Sequence, residues 1–233
     1  MKRTADAIAA HHPTIRALLP GAVLVAALAA ILIPATRVSP VDAMPHETPV
    51  AEADWPQLGR DAQRTGASPQ RVAGPYRFYW RWAEVPFASR AQPVVTSGRL
   101  FIGSLNGTMY ALDAAHDARG GPPSILWQRD LGSPIRSGAA VSGDVVLVGT
   151  HHGAIHGLEA SSGRILWSFP TGGALLASPL VSGKAAYLGS ADGTFYALRA
   201  SDGAVLWKRE VGSPILGSAA MSISGDRVFF MAE

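Results

Sequence analysis

A chain of 233 residues is long enough for one large domain or two small ones, and 48% hydrophobic with 16% charged residues is the balance of a folded protein, not a disordered one. The net charge of +3 comes from scattered residues such as Arg119, Arg129 and Arg136, so the clustered basic face that nucleic acid demands is missing. Cysteine is absent, which excludes thiol catalysis, disulfides, cysteinyl metal sites and an acylated cysteine anchor.

Residues 1–16 carry Lys2, Arg3 and Arg16, and residues 17–36 follow as an uncharged apolar stretch. About 20 such residues span a bilayer as a helix. The positive flank predicts residues 1–16 in the cytoplasm and everything after Arg37 outside. The expectation is a single-pass membrane protein, anchored through residues 17–36 by an apolar helix, with its fold on the extracytoplasmic side. Val41-Asp42-Ala43 has the small-x-small form of a signal cleavage site, so a cleaved signal peptide and a secreted product are the alternative. Residues 37–53, rich in Pro, Ala, Glu and Val without period, read as a linker.

Residues 54–69, DWPQLGRDAQRTGASP, hold too much Gly and Pro for a helix or long strand and are expected as an irregular segment on the surface. Residues 76–85 alternate Phe78, Trp80 and Trp82, the period of a β-strand with one buried face. The chain then begins to copy itself. Residues 145–167, VVLVGTHHGAIHGLEASSGRILW, return as residues 185–207, AAYLGSADGTFYALRASDGAVLW, and a looser copy with about six more residues occupies 99–127.

Each copy divides into four short strands, in the second copy at 137–142, 145–150, 154–158 and 164–169. His152-Gly153, matched by Asn106-Gly107 and Asp192-Gly193, predicts two-residue hairpin turns at Gly107, Gly153 and Gly193 with positive φ at both positions. Four antiparallel strands recurring near every 40 residues define an all-β fold, the β-propeller blade. Trp127, Trp167 and Trp207 recur at 40-residue intervals, with Trp82 45 residues before Trp127. A large aromatic at one place in every blade packs most economically between neighbouring blades, so Trp82, Trp127, Trp167 and Trp207 are expected to dock blades together.

Residues 157–167, GLEASSGRILW, and 197–207, ALRASDGAVLW, resemble the Ala-x-Asp-x-x-x-Gly-x-x-x-Trp docking motif of pyrroloquinoline-quinone-type propeller repeats. These repeats occur in quinoprotein alcohol dehydrogenases and in the outer-membrane assembly lipoprotein that shares their fold. The opening DWPQLGRDAQRTGASP is similar to the segment before the first blade in many bacterial members, so the resemblance covers residues 54–233. It implies that each Trp is stacked between blades, with Gly163 and Gly203 in the docking motif. The quinone and its calcium are implied less strongly. The family's Asp stands at Asp113 but is replaced by Glu159 and Arg199, and its adjacent-cysteine pair cannot exist here. No cofactor is therefore expected, with a quinone and calcium as the minor alternative.

Blade sequence runs from about residue 87 to 233, roughly 3.6 blades where closed rings have four to eight, which predicts an incomplete ring whose other blades belong to a longer or partner chain. His151, His152 and His156 form the one histidine cluster, but a hairpin offers a metal two ligands at best, and His152 fills a turn position. Ser137, Ser178 and Ser218 recur without an accompanying His and carboxylate, so they read as small residues at a crowded axis. Arg90 and Arg136 precede first strands, where loops rim the central channel, and are candidates for contact with an anionic ligand or acidic partner segment. No catalytic or metal residue is assigned. The expected function is a membrane-tethered binding or assembly scaffold with protein partners; the alternatives are part of a quinone-dependent dehydrogenase or a propeller sensor domain.

Overall fold

The computed structural model describes residues 54–69, 82, 85–88, 90–114 and 123–233. The apolar stretch 17–36, the linker 37–53 and all of the expected strand 76–85 except Trp82 and Val85 lie outside these residues. Among the described residues no helix is long and apolar enough to cross a membrane.

Fourteen strands are described. Blade 1 comprises β1 (Val94–Thr96), β2 (Arg99–Gly103), β3 (Thr108–Asp113) and β4 (Ile125–Asp130). Blade 2 comprises β5 (Ala140–Ser142), β6 (Val145–Gly149), β7 (Ala154–Glu159) and β8 (Ile165–Pro170). Blade 3 comprises β9 (Leu180–Ser182), β10 (Ala185–Gly189), β11 (Thr194–Arg199) and β12 (Val205–Glu210). A further pair, β13 (Ala220–Met221) and β14 (Val228–Phe229), begins a fourth sheet. Within every sheet strands pair antiparallel in chain order, so the three complete blades are meanders and the described sheets do not form a closed ring.

Burial follows the position of each strand in its blade. The two middle strands are packed on both faces by neighbouring blades, which is why β6 and β10 read as unbroken apolar runs. The outer strands β4, β8 and β12 lie at the rim and are largely exposed. Each carries a bulge: Ala111 pairs with Trp127 but Leu112 with Ile125, leaving Leu126 unpaired, and Leu166 and Leu206 are the extra residues in the sister blades.

The hairpins at Gly107, Gly153 and Gly193 differ from the expected two-residue turns. Positive φ belongs to glycine alone, at 90°, 84° and 80°, while Asn106, His152 and Asp192 keep negative φ. Ser104 N donates to Thr108 O at 3.0 Å and Gly107 N back to Ser104 O at 3.2 Å, and the same pair of bonds recurs from Thr150 and Ser190. The loop therefore holds three residues and ends on a left-handed glycine. The buried Ser104 and Thr150 hydroxyls also donate to the carbonyl across the loop, a bond a two-residue turn has no place for.

Residues 54–69 are irregular, as their composition requires, and 65–69 are exposed as expected, but 54–64 are buried or half-buried and do not lie on the surface. Gln57 and Ala62 are buried, and the segment runs across the innermost strand of every sheet. Asp54, Gln57, Gln63 and Arg64, spaced without period, turn their side chains to the inner strands or the residues beside them, which composition alone does not reveal.

Candidate functional site: blade joints and the axial rim

Successive blades meet at an outer point, at an inner point and again toward the axis. At the outer point the Trp127 ring leans on Phe101 of its own blade, at 5.8 Å between centroids, and reaches across to blade 2. There its indole Nε1 donates to Ala160 O at 2.9 Å, and a Cβ built on Gly163 would come within 2.5 Å of the ring. Gly163 is also left-handed, with φ 68°, so both backbone and contact demand glycine. Trp167 repeats the arrangement against blade 3, donating to Ala200 O at 3.1 Å with its ring over Gly203. Arg129 adds a bond from Nε to Gly163 O at 2.8 Å. Trp207 leans on Tyr187 and Phe195 of its own blade but has no acceptor for its Nε1 among the described residues. Trp82, half-buried, meets Tyr110 edge-on at 5.0 Å and Phe87 at 5.7 Å, and is not in a strand.

The inner point is one the sequence reading missed. Ile135, Leu175 and Ile215, all fully buried, press onto Gly103, Gly149 and Gly189 at the end of each second strand. The same residues donate their amides to Ser104, Thr150 and Ser190 carbonyls at 3.0, 3.1 and 3.0 Å. The readable signal was the recurrence of Gly before Ser or Thr in one copy and of Ile or Leu about 30 residues on. Toward the axis, Gly138 N donates to Ser178 Oγ and Ser178 N to Ser218 Oγ, each at 2.9 Å, so Ser178 and Ser218 tie blade to blade. Ser137 sits one position out of this series, and its buried hydroxyl has no hydrogen-bond partner.

The histidines do not converge. His156 Nδ1 lies 2.7 Å from Ser168 Oγ across the β7–β8 pair, and burial pulls its pKa below the usual value. The His152 backbone amide donates to Ser133 Oγ at 2.9 Å, and His151 Nδ1 is buried without a partner. Among the described residues no group of three or more His, Cys, Asp or Glu could hold a metal ion. Asp192 anchors its hairpin instead. Burial opposes its ionisation, yet bonds from the Tyr196 hydroxyl and the Thr194 and Gly172 amides outweigh that and hold the carboxyl below its usual range.

At the axis, Arg90, Arg136, Leu176 and Leu216 occupy one equivalent position ahead of the four inner strands. Arg90 and Arg136 share a cleft of about 250 Å³ with Ala88 and Leu176, and Arg90 continues into a second of about 350 Å³ with Leu216, Gly217, Met231, Ala232 and Glu233. Both arginines are exposed, and neither guanidinium has a hydrogen-bond or ion-pair partner among the described residues. Two unpaired guanidiniums beside two leucines offer charge and apolar surface together, suited to planar anions with an apolar neighbour.

Meander blades of four strands, joined by tryptophan and glycine, define a β-propeller of the blade-docking kind. A family profile described as outer membrane protein assembly factor BamB matches residues 114–233. The chain belongs to the pyrroloquinoline-quinone-like propeller family. No curated protein matched the sequence. Among solved structures, BamB from Moraxella catarrhalis is 29% identical with a TM-score of 0.50, covering 64% of this chain and 42% of that one. Quinohemoprotein alcohol dehydrogenase from Comamonas testosteroni is 21% identical, TM-score 0.57, covering 69% and 28%. The Pseudomonas putida HK5 quinohemoprotein alcohol dehydrogenase is 18% identical, TM-score 0.63, covering 76% and 34%. The two dehydrogenases share the fold. The chain spans less than half the length of each of these proteins.

Proposed function

We propose that this chain is a non-catalytic binding or assembly scaffold, held at the extracytoplasmic face of a membrane through residues 17–36. Its rim arginines, Arg90 and Arg136, receive an acidic, apolar segment of a partner protein. The observation that carries the reading is the pair of exposed, unpartnered guanidiniums in one cleft with Leu176. The match to the assembly-factor profile supports it. A charge-reversed variant, Arg90→Glu with Arg136→Glu, tests it against a fluorescent peptide of alternating Glu and Leu, followed by anisotropy. Binding should weaken about tenfold or more, and more steeply at low than at high salt. Equal affinity of variant and parent would overturn the rim assignment. N-terminal sequencing of the exported protein separates an uncleaved anchor from a signal peptide cut after Ala43.

Quinone-dependent oxidation is the second reading, favoured by the dehydrogenase folds among the structural neighbours. The described residues do not assemble a calcium-ligating carboxylate set, and the sequence has no cysteine pair to cover a quinone. No reaction step is therefore routed through the quinone. A saturable absorbance change on adding pyrroloquinoline quinone with calcium, accompanied by dye-linked alcohol oxidation, would replace the scaffold reading.

A further inference from the structure

Propeller blades ordinarily touch only their neighbours, so their stabilities combine pairwise along the chain. Residues 54–66 break that rule. The amides at one equivalent position of the four inner strands are all satisfied by this one segment. Val95 N donates to Trp55 O at 2.9 Å, Val141 N to Pro56 O at 2.8 Å, Val181 N to Gln57 Oε1 at 2.9 Å, and Met221 N to Ala62 O at 2.8 Å. Three consecutive residues thus serve three consecutive blades, and a turn carries the chain to the fourth.

The kind of acceptor changes along the segment. Trp55 lies close enough to form a two-way backbone bridge, its own N donating to Val95 O. At blade 3 the primary amide of Gln57 stands in for a peptide group: Nε2 donates to Val181 O at 3.1 Å while Oε1 accepts from Val181 N. Gly59, at φ 69°, makes the turn; a Cβ there would meet Arg64 Cα at 2.8 Å. Arg64 then returns to the axis, donating from Nε to Ala219 O at 2.9 Å, from Nη2 to Pro179 O at 3.3 Å and from Nη1 to Leu58 O. Burial pulls its pKa down to about 10, against the pull of the Asp61 charge, and it stays cationic at neutral pH. One side chain therefore binds blades 3 and 4 to the segment. At the other end the Asp54 carboxylate accepts from Thr96 Oγ1 at 2.7 Å and Ser97 N at 3.2 Å on blade 1.

We infer that residues 54–66 are a strap that couples blades which do not touch, so that the inner edges of all four sheets open as one cooperative unit. An inner strand without the strap would present an unpaired amide to the axis in every blade, and the cost of leaving the strap is shared among four sheets at once.

Native-state hydrogen exchange on the full chain tests this at four amides: Val95, Val141, Val181 and Met221. With rising sub-denaturing urea, all four should converge on one opening free energy and one denaturant slope, as a single unfolding unit does. Separate slopes for Met221 and Val95 overturn the inference. A Gln57→Ala variant sharpens the test, since the Gln57 side chain hydrogen-bonds blade 3 alone. Exchange at Val141 and Met221 should accelerate roughly tenfold along with Val181. Acceleration confined to Val181 marks a local bond and overturns the coupling. If that variant does not fold, the urea series on the unaltered protein decides.

Discussion

The tryptophans of blades 1 and 3 hold the same register position in the same bulged strand, yet Trp127 is 8% exposed and Trp207 is 37% exposed. Both lean on an aromatic of their own blade, so half of the environment is shared. The other half is an Ala carbonyl and a left-handed glycine on the next blade, present for Trp127 and absent among the described residues for Trp207. The side chain is thus prepared by its own blade and completed by the next. What the 40-residue motif encodes is half of a joint, and the energy of that half is realised only when the Ala-x-x-Gly turn arrives.

The largest expected effect breaks the completed joint. Trp127→Ala should cost about 3–5 kcal/mol in urea unfolding, through lost burial and an orphaned Ala160 carbonyl. Trp207→Ala should cost about 1–2 kcal/mol, because only the contacts to its own blade are lost; equal losses would show that the glycine side contributes nothing. Next comes a glycine pair chosen to share backbone strain and differ in contact. Gly163→Ala adds a methyl at φ 68° against the Trp127 ring, and should cost about 2–4 kcal/mol. Gly143→Ala, at φ 56° with nothing within 4 Å, should cost about 1–2 kcal/mol. The difference isolates the docking contact from strain. If the two variants melt alike, the ring has moved aside and the joint is soft.

The smallest effect concerns pH. Burial lowers the pKa of His156 from 6.5, so between its folded value and 6.5 the unfolded chain holds more protons than the folded one. Its contribution to stability is complete above pH 6.5 and falls away as the pH drops through the folded value. A His156→Gln variant should flatten the stability profile below pH 6.5 and leave it unchanged above. A slope that persists in the variant assigns the titration elsewhere.

The blades were legible in the sequence because their signals repeat: glycine in the hairpin, a buried second strand, Trp every 40 residues. Turn geometry was not, because His152 and Asp192 suggest a two-residue turn while the decisive groups, the hydroxyls of Ser104 and Thr150, stand two residues earlier. The inner joint was missed for a related reason. A glycine that admits Ile135 looks in sequence like any glycine that ends a strand, and only the neighbouring blade shows what it makes room for. The strap was the furthest from view. Its partners lie 124 residues away for Gln57 and 155 for Arg64, and it has no period of its own. The rim position was readable as Arg90 and Arg136, but its leucines, Leu176 and Leu216, become part of the same cleft only when four inner strands stand side by side.

The bulges at Leu126, Leu166 and Leu206 carry one more consequence. Each lies on the free edge of its sheet, beside Ile125, Ile165 and Val205, where apolar side chains are exposed. A flat apolar edge invites a foreign strand to extend the sheet and begin a fibril. Here the extra residue breaks the spacing of donors and acceptors beside this apolar edge, so an incoming strand would lose its ladder within a few residues. The bulge that lies beside each tryptophan also makes the rim a poor template for aggregation.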